Sequence, residues 1–179
     1  DESGKMHEQR EHFYGYKAHT SLNAQAEMIT SVVVMAGNGH DGHQFAQLVA
    51  RDQAHGVKVE TYAADRGYDD SDNHYLLEHL GLHSAIKLNA YRTRKKDEHK
   101  QVWFDLLGSP AYQQGQRERY KIERKFGEAK LNHGLRHCRY IGWLRYAIQA
   151  NLTAIVLNLK RLVKLLTGVL FKGRAWIEA

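Results

Sequence analysis

The alternation of strand and helix patterns between residues 13 and 87 constrains the fold more than any other feature of this sequence. Residues 13–22 and 28–36 are rich in aromatic and β-branched side chains, and a short polar connection separates them, which predicts an antiparallel hairpin. Two helices and two further strands then alternate along the chain. This order predicts an α/β fold with a mixed sheet flanked by helices. The elements predicted after the hairpin are a helix capped by Asp41 that ends near Gln53, a strand over 57–64, a helix capped by Asp69 or Asp70 that ends near Leu80, and a strand over 82–87.

The remainder of the chain is predicted to be mainly helical. Residues 89–108 have no clear periodicity and are predicted to form a loop or a small insertion. Ser109 followed by Pro110 is typical of a helix start, so a helix should run from there to about Asn132, with a break at Gly115. An apolar pattern over 144–166 predicts a long C-terminal helix. With 179 residues in total, the chain has the length of a single domain.

The charged residues are distributed unevenly. The formal net charge is +6, but residues 1–91 contain 7 basic and 13 acidic side chains, whereas residues 92–179 contain 19 and 7. A basic half joined to an acidic half indicates a polyanionic partner.

Several classes of protein are disfavoured by composition. A single cysteine, Cys138, excludes an intramolecular disulfide and a cysteine-rich zinc site, and it fits a reducing compartment. We expect its thiol to be packed or partly buried. No run reaches about 18 apolar residues, so no membrane span is expected. The sequence also contains no phosphate-binding P-loop and no GxGxxG dinucleotide fingerprint.

Asp65 is the first candidate for chemistry, because it directly follows the apolar strand predicted over 57–64. A carboxylate at the C-terminal end of a strand lies at the rim of an α/β sheet, where ligands and metals bind. The alternative is a structural role, as a turn residue or as the cap of the next helix.

The helix after Pro110 carries a second candidate group. Arg119, Glu123 and Lys130 are four and seven residues apart, which places them within roughly 40° of one another on a helix surface. The alternative is a solvated face with an Arg–Glu ion pair. An adjacent apolar stripe, which could pack against the core, consists of Ile122, Phe126 and Ala129.

Basic residues are concentrated around this helix. Residues 115–145 contain nine basic and three acidic side chains, with Tyr, His and Trp residues among them. Such a stripe suits phosphate neutralisation with stacking on bases or sugars. An acidic residue placed among so many basic residues is consistent with a ligand of a divalent metal ion that also binds a phosphate.

Histidine pairs are weaker candidates. His40 with His43, beside Asp41, could bind a metal, but a loop and a helix cap are favoured. The pairs at positions 79 and 83 and at positions 133 and 137 have i,i+4 spacing without an evident third ligand, so surface histidines are the default interpretation.

The order of several short motifs resembles the catalytic domain of DDE-type transposases of bacterial insertion sequences. The first three motifs are YGYKAH at 14–19, GNGHD at 37–41 and ADRGY at 64–68. The later ones are RYKIERKFG at 119–127 with Lys130, GLRHCRYIG at 134–142 and NLK at 158–160. Together they cover about residues 13–161.

The resemblance implies a ribonuclease H-like fold and chemistry on DNA with two divalent ions, Mg²⁺ or Mn²⁺. It implies that Asp65 and Glu123 are metal ligands, and that Arg119 and Lys130 are the basic members of a Tyr-Arg-Glu-Lys signature. Gln116 stands where the tyrosine of that signature would fall. The expected DNA-binding residues are Arg119, Lys130, Tyr120, Arg124, Arg136 and Arg139. The family also implies DNA as the partner, a homodimer when active, and a cytoplasmic, nucleoid-associated protein.

One departure from the family pattern concerns its first aspartate. In the family this residue lies on a strand that precedes the YGYKAH strand, and here Asp1 is a poor candidate for it. We therefore expect a sheet without its first strand. Three functions follow as alternatives: a transposase catalytic region that cleaves and transfers DNA strands, an inactive remnant that only binds DNA or an intact transposase, or a basic interaction domain without nuclease ancestry.

Overall fold

Two short sheets, each with two strands, lie at the centre of the part of the chain that the structure describes. This structure is a computed structural model, and it describes residues 15–89 and 106–168. The strands are β1 (Tyr16–Asn23), β2 (Met28–Ala36), β3 (Thr61–Ala64) and β4 (His83–Ile86), and the α-helices are α1 (Phe45–Ala54), α2 (Ser71–His79), α3 (Pro110–Glu118), α4 (Tyr120–Asn132) and α5 (Trp143–Thr167). The predicted α/β class is thereby confirmed, but the described strands form two separate pairs, one antiparallel and one parallel, rather than the single mixed sheet that was predicted. The predicted loop or insertion over 89–108 lies largely outside the described residues.

Strands β1 and β2 form the predicted antiparallel hairpin, with Thr20 opposite Val32. The turn between them is stabilised by Asn23, whose side-chain oxygen accepts hydrogen bonds from the backbone N–H groups of Gln25 (3.0 Å) and Ala26 (2.8 Å). Asparagine is favoured at such positions because its short side chain can bond to the backbone two residues further on.

Strands β3 and β4 form a parallel pair, in register from Thr61 opposite His83 to Ala64 opposite Ile86. Helix α2 connects them, as parallel strands require a crossover. The observed strand β3 is shorter than the strand predicted over 57–64, because β4 provides only four residues for pairing.

Helices cover both faces of the two sheets. Helices α1 and α2 pack with β3 and β4 around one core, in which the buried side chains are Phe45, Val49, Leu77 and Ile86. Helix α5 packs against the hairpin, where Val32 contacts a second core that contains Ala150 and Ala154. Helix α3 packs against β3 and β4.

A buried aspartate on α1 links the two sheets. Asp52 is 1% exposed, and its two carboxylate oxygens accept hydrogen bonds from the Ser31 hydroxyl on β2 (2.6 Å) and from the Tyr62 hydroxyl on β3 (3.1 Å). Because these donors belong to different sheets, Asp52 fixes the position of the hairpin relative to β3.

Two local predictions in this region are wrong. Asp41 does not cap the helix, because its carboxylate bonds to Lys17 instead; His40 caps the short 3₁₀ turn Asp41–Gln44, and its ring accepts the N–H of Gly42. The predicted break at Gly115 falls instead at Arg119, between α3 and α4.

Helix α5 confirms the predicted long C-terminal helix to within one residue at each end. It ends where Gly168 adopts a left-handed conformation, with a φ of 69°. Among the described helices, none has the length and apolar character required to cross a membrane.

Candidate active site

Asp65 lies at the C-terminal end of β3, where it is exposed. Its Oδ1 accepts the N–H of Gly67 at 2.9 Å, and it caps the 3₁₀ turn Arg66–Tyr68. The structural role considered for Asp65 is therefore confirmed. This role does not exclude a functional one, because the cap bond holds the carboxylate in a defined position at the rim of the sheet.

A second carboxylate approaches the same turn. A Cβ atom on Gly67 would lie 3.1 Å from Asp65 Oδ1 and 3.3 Å from Asp41 Oδ2. Asp41 is held there by Lys17, whose Nζ donates to Asp41 Oδ1 at 2.7 Å and to the Gly39 carbonyl at 3.1 Å. The motifs YGYKAH, GNGHD and ADRGY, which are separate in sequence, thus meet at one place.

A histidine–tyrosine pair lies beside the two carboxylates. The Nδ1 of His19 is 2.5 Å from the Tyr68 hydroxyl, and His19 is buried. Burial lowers the pKa of His19, although Asp41 opposes this effect. Burial also raises the pKa of Tyr68, and Asp65 and Asp41 raise it further. Both rings are therefore neutral at neutral pH, so they do not cancel the negative charge of the carboxylates.

Glu123 lies in the first turn of α4 and its side chain is 64% exposed. Its Oε1 accepts a hydrogen bond from Arg119 Nη2 at 3.0 Å. Arg119 also donates to Gln116, and Gln116 in turn donates to the carbonyl of Ala85 on β4. A chain of side-chain contacts therefore connects Glu123 to the strand that pairs with β3. The ion-pair interpretation of the Arg119–Glu123 spacing is confirmed.

The described contacts do not join the two predicted metal ligands to each other. Asp65 contacts its own turn, whereas Glu123 contacts Arg119. Within residues 15–89 and 106–168, no group of three or more His, Cys, Asp or Glu side chains is arranged to hold a metal ion. A shared metal site of Asp65 and Glu123 thus stays a prediction.

Several basic residues of α4 stabilise the fold itself. Lys121 donates to the Ala24 carbonyl at 2.9 Å, and Arg124 pairs with Glu27, so both residues attach α4 to the turn of the hairpin. The Arg124 guanidinium also lies 5.9 Å from the ring centroid of Tyr120. The Arg124 side chain nevertheless stays 55% exposed, and Tyr120 is exposed as well.

Other predicted DNA-binding residues lie on the surface. Lys130, Arg136 and Arg139 are exposed. The turn that carries the two arginines is held by Gln149 of α5, which donates to the carbonyls of Gly134 (3.2 Å) and His137 (2.9 Å) and accepts the N–H of Arg139 (3.1 Å). Gln149 is a residue that periodicity did not single out.

The last of the motifs, NLK at 158–160, has structural contacts. Asn158 pairs with both backbone groups of Ile29 on β2, at 2.7 and 2.8 Å. Lys160 pairs with Glu128 on α4. Burial alone would raise the pKa of Glu128, but Lys160, Lys125 and His133 together outweigh this effect and keep the pKa below its usual range. These residues attach α5 to β2 and α4.

Cys138 differs from expectation, because it is exposed rather than packed, with its Sγ donating to the Tyr140 carbonyl at 2.9 Å. It lies in the same turn as the exposed Arg136 and Arg139.

Comparison with known proteins assigns the family. The family model described as the transposase DDE domain matches residues 1–159. The chain belongs to this family. It is 27% identical over 146 residues to the transposase for insertion sequence element IS1106 of Neisseria meningitidis serogroup B, and the match covers 81% of the chain. It covers 46% of that transposase, so the chain spans about half the length of this relative. No solved structure matches the chain.

Membership of the transposase DDE domain family agrees with the motifs, and the structure adds the contacts among them. The contacts of Lys17, Asp41 and Gly67 around Asp65 were not predicted from the sequence. The signal for Lys17 was present, since it lies in the YGYKAH motif, yet its partner Asp41 is 24 residues away.

Proposed function

We propose that this chain is the catalytic region of a DNA transposase, which cleaves the ends of an insertion sequence and joins them to target DNA. In this proposal Asp65 and Glu123 are ligands of Mg²⁺ or Mn²⁺. The observation that supports it best is the convergence of three motifs on the Asp65 turn, where Lys17 fixes Asp41 and both carboxylates flank Gly67.

The side chains at this turn are suited to a hard divalent cation. Such cations prefer carboxylate oxygens, which Asp65 and Asp41 both present close to Gly67. The adjacent His19 and Tyr68 are neutral, as their pKa shifts indicate. When two such ions are bound, they activate water or a DNA 3′-hydroxyl and stabilise the leaving oxygen.

The protein side chains position the carboxylates and the DNA. The Gly67 N–H orients Asp65, and Arg119 orients Glu123. Arg119 and Lys130 contact the phosphates that flank the cut, while Tyr120, Arg124, Arg136 and Arg139 bind the DNA further along. The arginines among these residues suit phosphate oxygens, because guanidinium groups donate two parallel hydrogen bonds.

The proposed fold is ribonuclease H-like. Among the described residues, each of the four strands has one edge without a strand partner, β1 and β3 included. We place between them the strand that carries the first aspartate of the family, which would supply a third carboxylate. Asp52 and the His19–Tyr68 pair hold the hairpin and β3 in place beside this position.

The proposal is tested by metal-dependent cleavage of DNA that carries the sequences flanking the gene. The protein used is the full reading frame that contains this chain. We expect cleavage with Mg²⁺ or Mn²⁺ and loss of cleavage with EDTA, since the carboxylates alone cannot activate the nucleophile. Binding of the same DNA without cleavage under either condition would instead support the inactive remnant.

The proposed DNA surface makes a separate prediction. Replacing Arg136 or Arg139 by Gln should weaken DNA binding several-fold, and each change should reduce the slope of log affinity against log salt by about one unit. Fluorescence anisotropy at several salt concentrations measures both quantities. The control is Lys58→Gln, which removes the same charge at an exposed position ahead of β3. An equal effect of Lys58→Gln would contradict a localised surface.

A further inference from the structure

The segment that joins α4 to α5 is basic and exposed. We call residues 134–142 the basic turn; it contains Arg136 and Arg139, no acidic residue, and neither helix nor strand. Both arginines are exposed. The ion pairs that arginines form within the described ranges all lie outside the basic turn. Both guanidinium groups therefore carry a charge that is open to an anionic partner.

One side chain of α5 holds the backbone of the basic turn. The amide nitrogen of Gln149 donates to the carbonyls of Gly134 (3.2 Å) and His137 (2.9 Å), and its oxygen accepts the N–H of Arg139 (3.1 Å). Gln149 is 8% exposed, so these bonds are largely shielded from competing water. An irregular surface segment is ordinarily more mobile than the elements it connects. Here a single buried amide restricts the backbone at three points between Gly134 and Arg139.

The guanidinium group of Arg139 is placed by the same turn. Gly134 has a φ of 68°, in the left-handed region that favours glycine. A Cβ atom on Gly134 would lie 2.9 Å from Arg139 Nη2 and 3.6 Å from Arg139 Cζ, so the guanidinium lies directly against the Gly134 backbone. Because Gln149 bonds to the backbone of both residues, it fixes the platform on which this side chain rests as well as the point from which it extends.

The two ends of the basic turn are attached to the fold independently of Gln149. At its start, Leu135 packs against the core between the hairpin and α5. At its end, the N–H of Gly142 donates to the Tyr16 hydroxyl at 2.9 Å, and the Tyr16 ring stacks on Tyr146 with 5.3 Å between centroids. Among the described hydrogen bonds, those that attach the middle of the turn to the rest of the fold belong to Gln149. Loss of this side chain should therefore release the middle of the turn without unfolding the protein.

We propose that Gln149 is a positioning residue for DNA binding, which holds Arg136 and Arg139 in their phosphate-binding arrangement before DNA binds. A group that is already ordered in the free protein need not be ordered on association, so pre-organisation raises affinity without adding a contact. As a buried residue, Gln149 acts through the arginines and not by touching DNA. This inference rests on the proposed DNA surface, but it can fail while that surface holds.

The first test replaces Gln149 by Met in the full reading frame that contains this chain. Methionine is a comparable helix former, but it cannot make the three hydrogen bonds. The dissociation constant for a labelled duplex that carries the sequences flanking the gene should rise roughly three- to tenfold. The slope of log affinity against log salt should stay as in the wild type, because no cation is lost. Fluorescence anisotropy at several salt concentrations measures both quantities.

The matched control is Thr153→Val, one helical turn further along α5. Thr153 is also buried, and its hydroxyl donates to the Gln149 carbonyl at 2.9 Å within the same helix. The control removes a buried polar group from α5 without removing a bond to the basic turn, so it should bind DNA like the wild type. Urea unfolding checks that both variants are folded.

A double-mutant cycle separates positioning from a general structural role. In an Arg136→Gln, Arg139→Gln background, Gln149→Met should change the affinity less than about twofold, because the groups through which it acts are gone. Wild-type affinity of Gln149→Met, the same loss in both backgrounds, or a salt slope lowered as much as by Arg139→Gln would overturn the inference. Wild-type affinity of the Arg136→Gln, Arg139→Gln variant would overturn the proposed DNA surface as well, so the two failures can be told apart.

Discussion

Replacement of Asp65 by Asn is expected to reduce metal-dependent DNA cleavage more than about 100-fold, because even the outer partners of metal ligands contribute about 10- to 100-fold. Asparagine keeps an oxygen that can accept the N–H of Gly67, so the turn after β3 should persist. The change removes the negative charge on which a divalent cation depends. Cleavage is measured at saturating DNA, and unfolding by urea checks that the fold is retained.

Replacement of Glu123 by Gln should reduce cleavage to a similar extent with little effect on stability. The Glu123 side chain of the lost ion pair is 64% exposed, and ion pairs open to solvent contribute about 0.2–1 kcal/mol. The matched control is Glu78→Gln, an exposed glutamate on α2, which should cleave normally. Normal cleavage by either the Asp65 or the Glu123 variant would remove that residue from the metal site.

The two variants also test whether the separate contacts of Asp65 and Glu123 belong to one site. If both carboxylates hold the same pair of ions, the double variant should be no worse than the more impaired single variant, because catalytic residues that act as a unit are not additive. Independent, multiplicative losses would indicate that the two residues serve different steps.

Elements with a local pattern could be predicted from the sequence. The hairpin was found because its β-branched run and its polar turn are adjacent, and α5 was found because its apolar pattern is long. The start of β3 could not be predicted, because it depends on where the partner strand β4 begins. That partner lies about twenty residues further along the chain. The role of Asp41 was missed for the same reason, since Lys17 is remote in sequence.

Charge counting located a basic region but could not separate its members. Lys125 is buried, and burial lowers its pKa although Glu128 opposes the shift. Lys121 serves the hairpin turn, whereas Arg136 and Arg139 stay exposed. These four residues and Arg124 all count as one positive charge each in the sequence. Only their contacts distinguish a basic residue that stabilises the fold from one that is available to DNA.

Replacement of Gly115 by Ala is expected to destabilise the protein by about 1–3 kcal/mol, although the same change inside a helix ordinarily stabilises it by about 1 kcal/mol. Gly115 lies within α3, where the helix approaches β3 and β4 closely. An added Cβ would lie 2.6 Å from the Cβ of Ala85 and 3.2 Å from that of Ala63. These two atoms cannot rotate away as the end of a long side chain can, so the helix must shift.

The matched control for this prediction is Gly127→Ala in α4, where a Cβ would meet no atom within 4 Å. It should gain the ordinary helix propensity, so the two substitutions should change the free energy of unfolding in opposite directions. Urea unfolding followed by circular dichroism measures both values. Because Gly115 packs α3 against β4 and β3, a shift of α3 should also move Gln116 and with it the Arg119–Glu123 pair. Stabilisation by Gly115→Ala would contradict the close approach of α3 to the sheet, and with it the proposed link between Glu123 and β4.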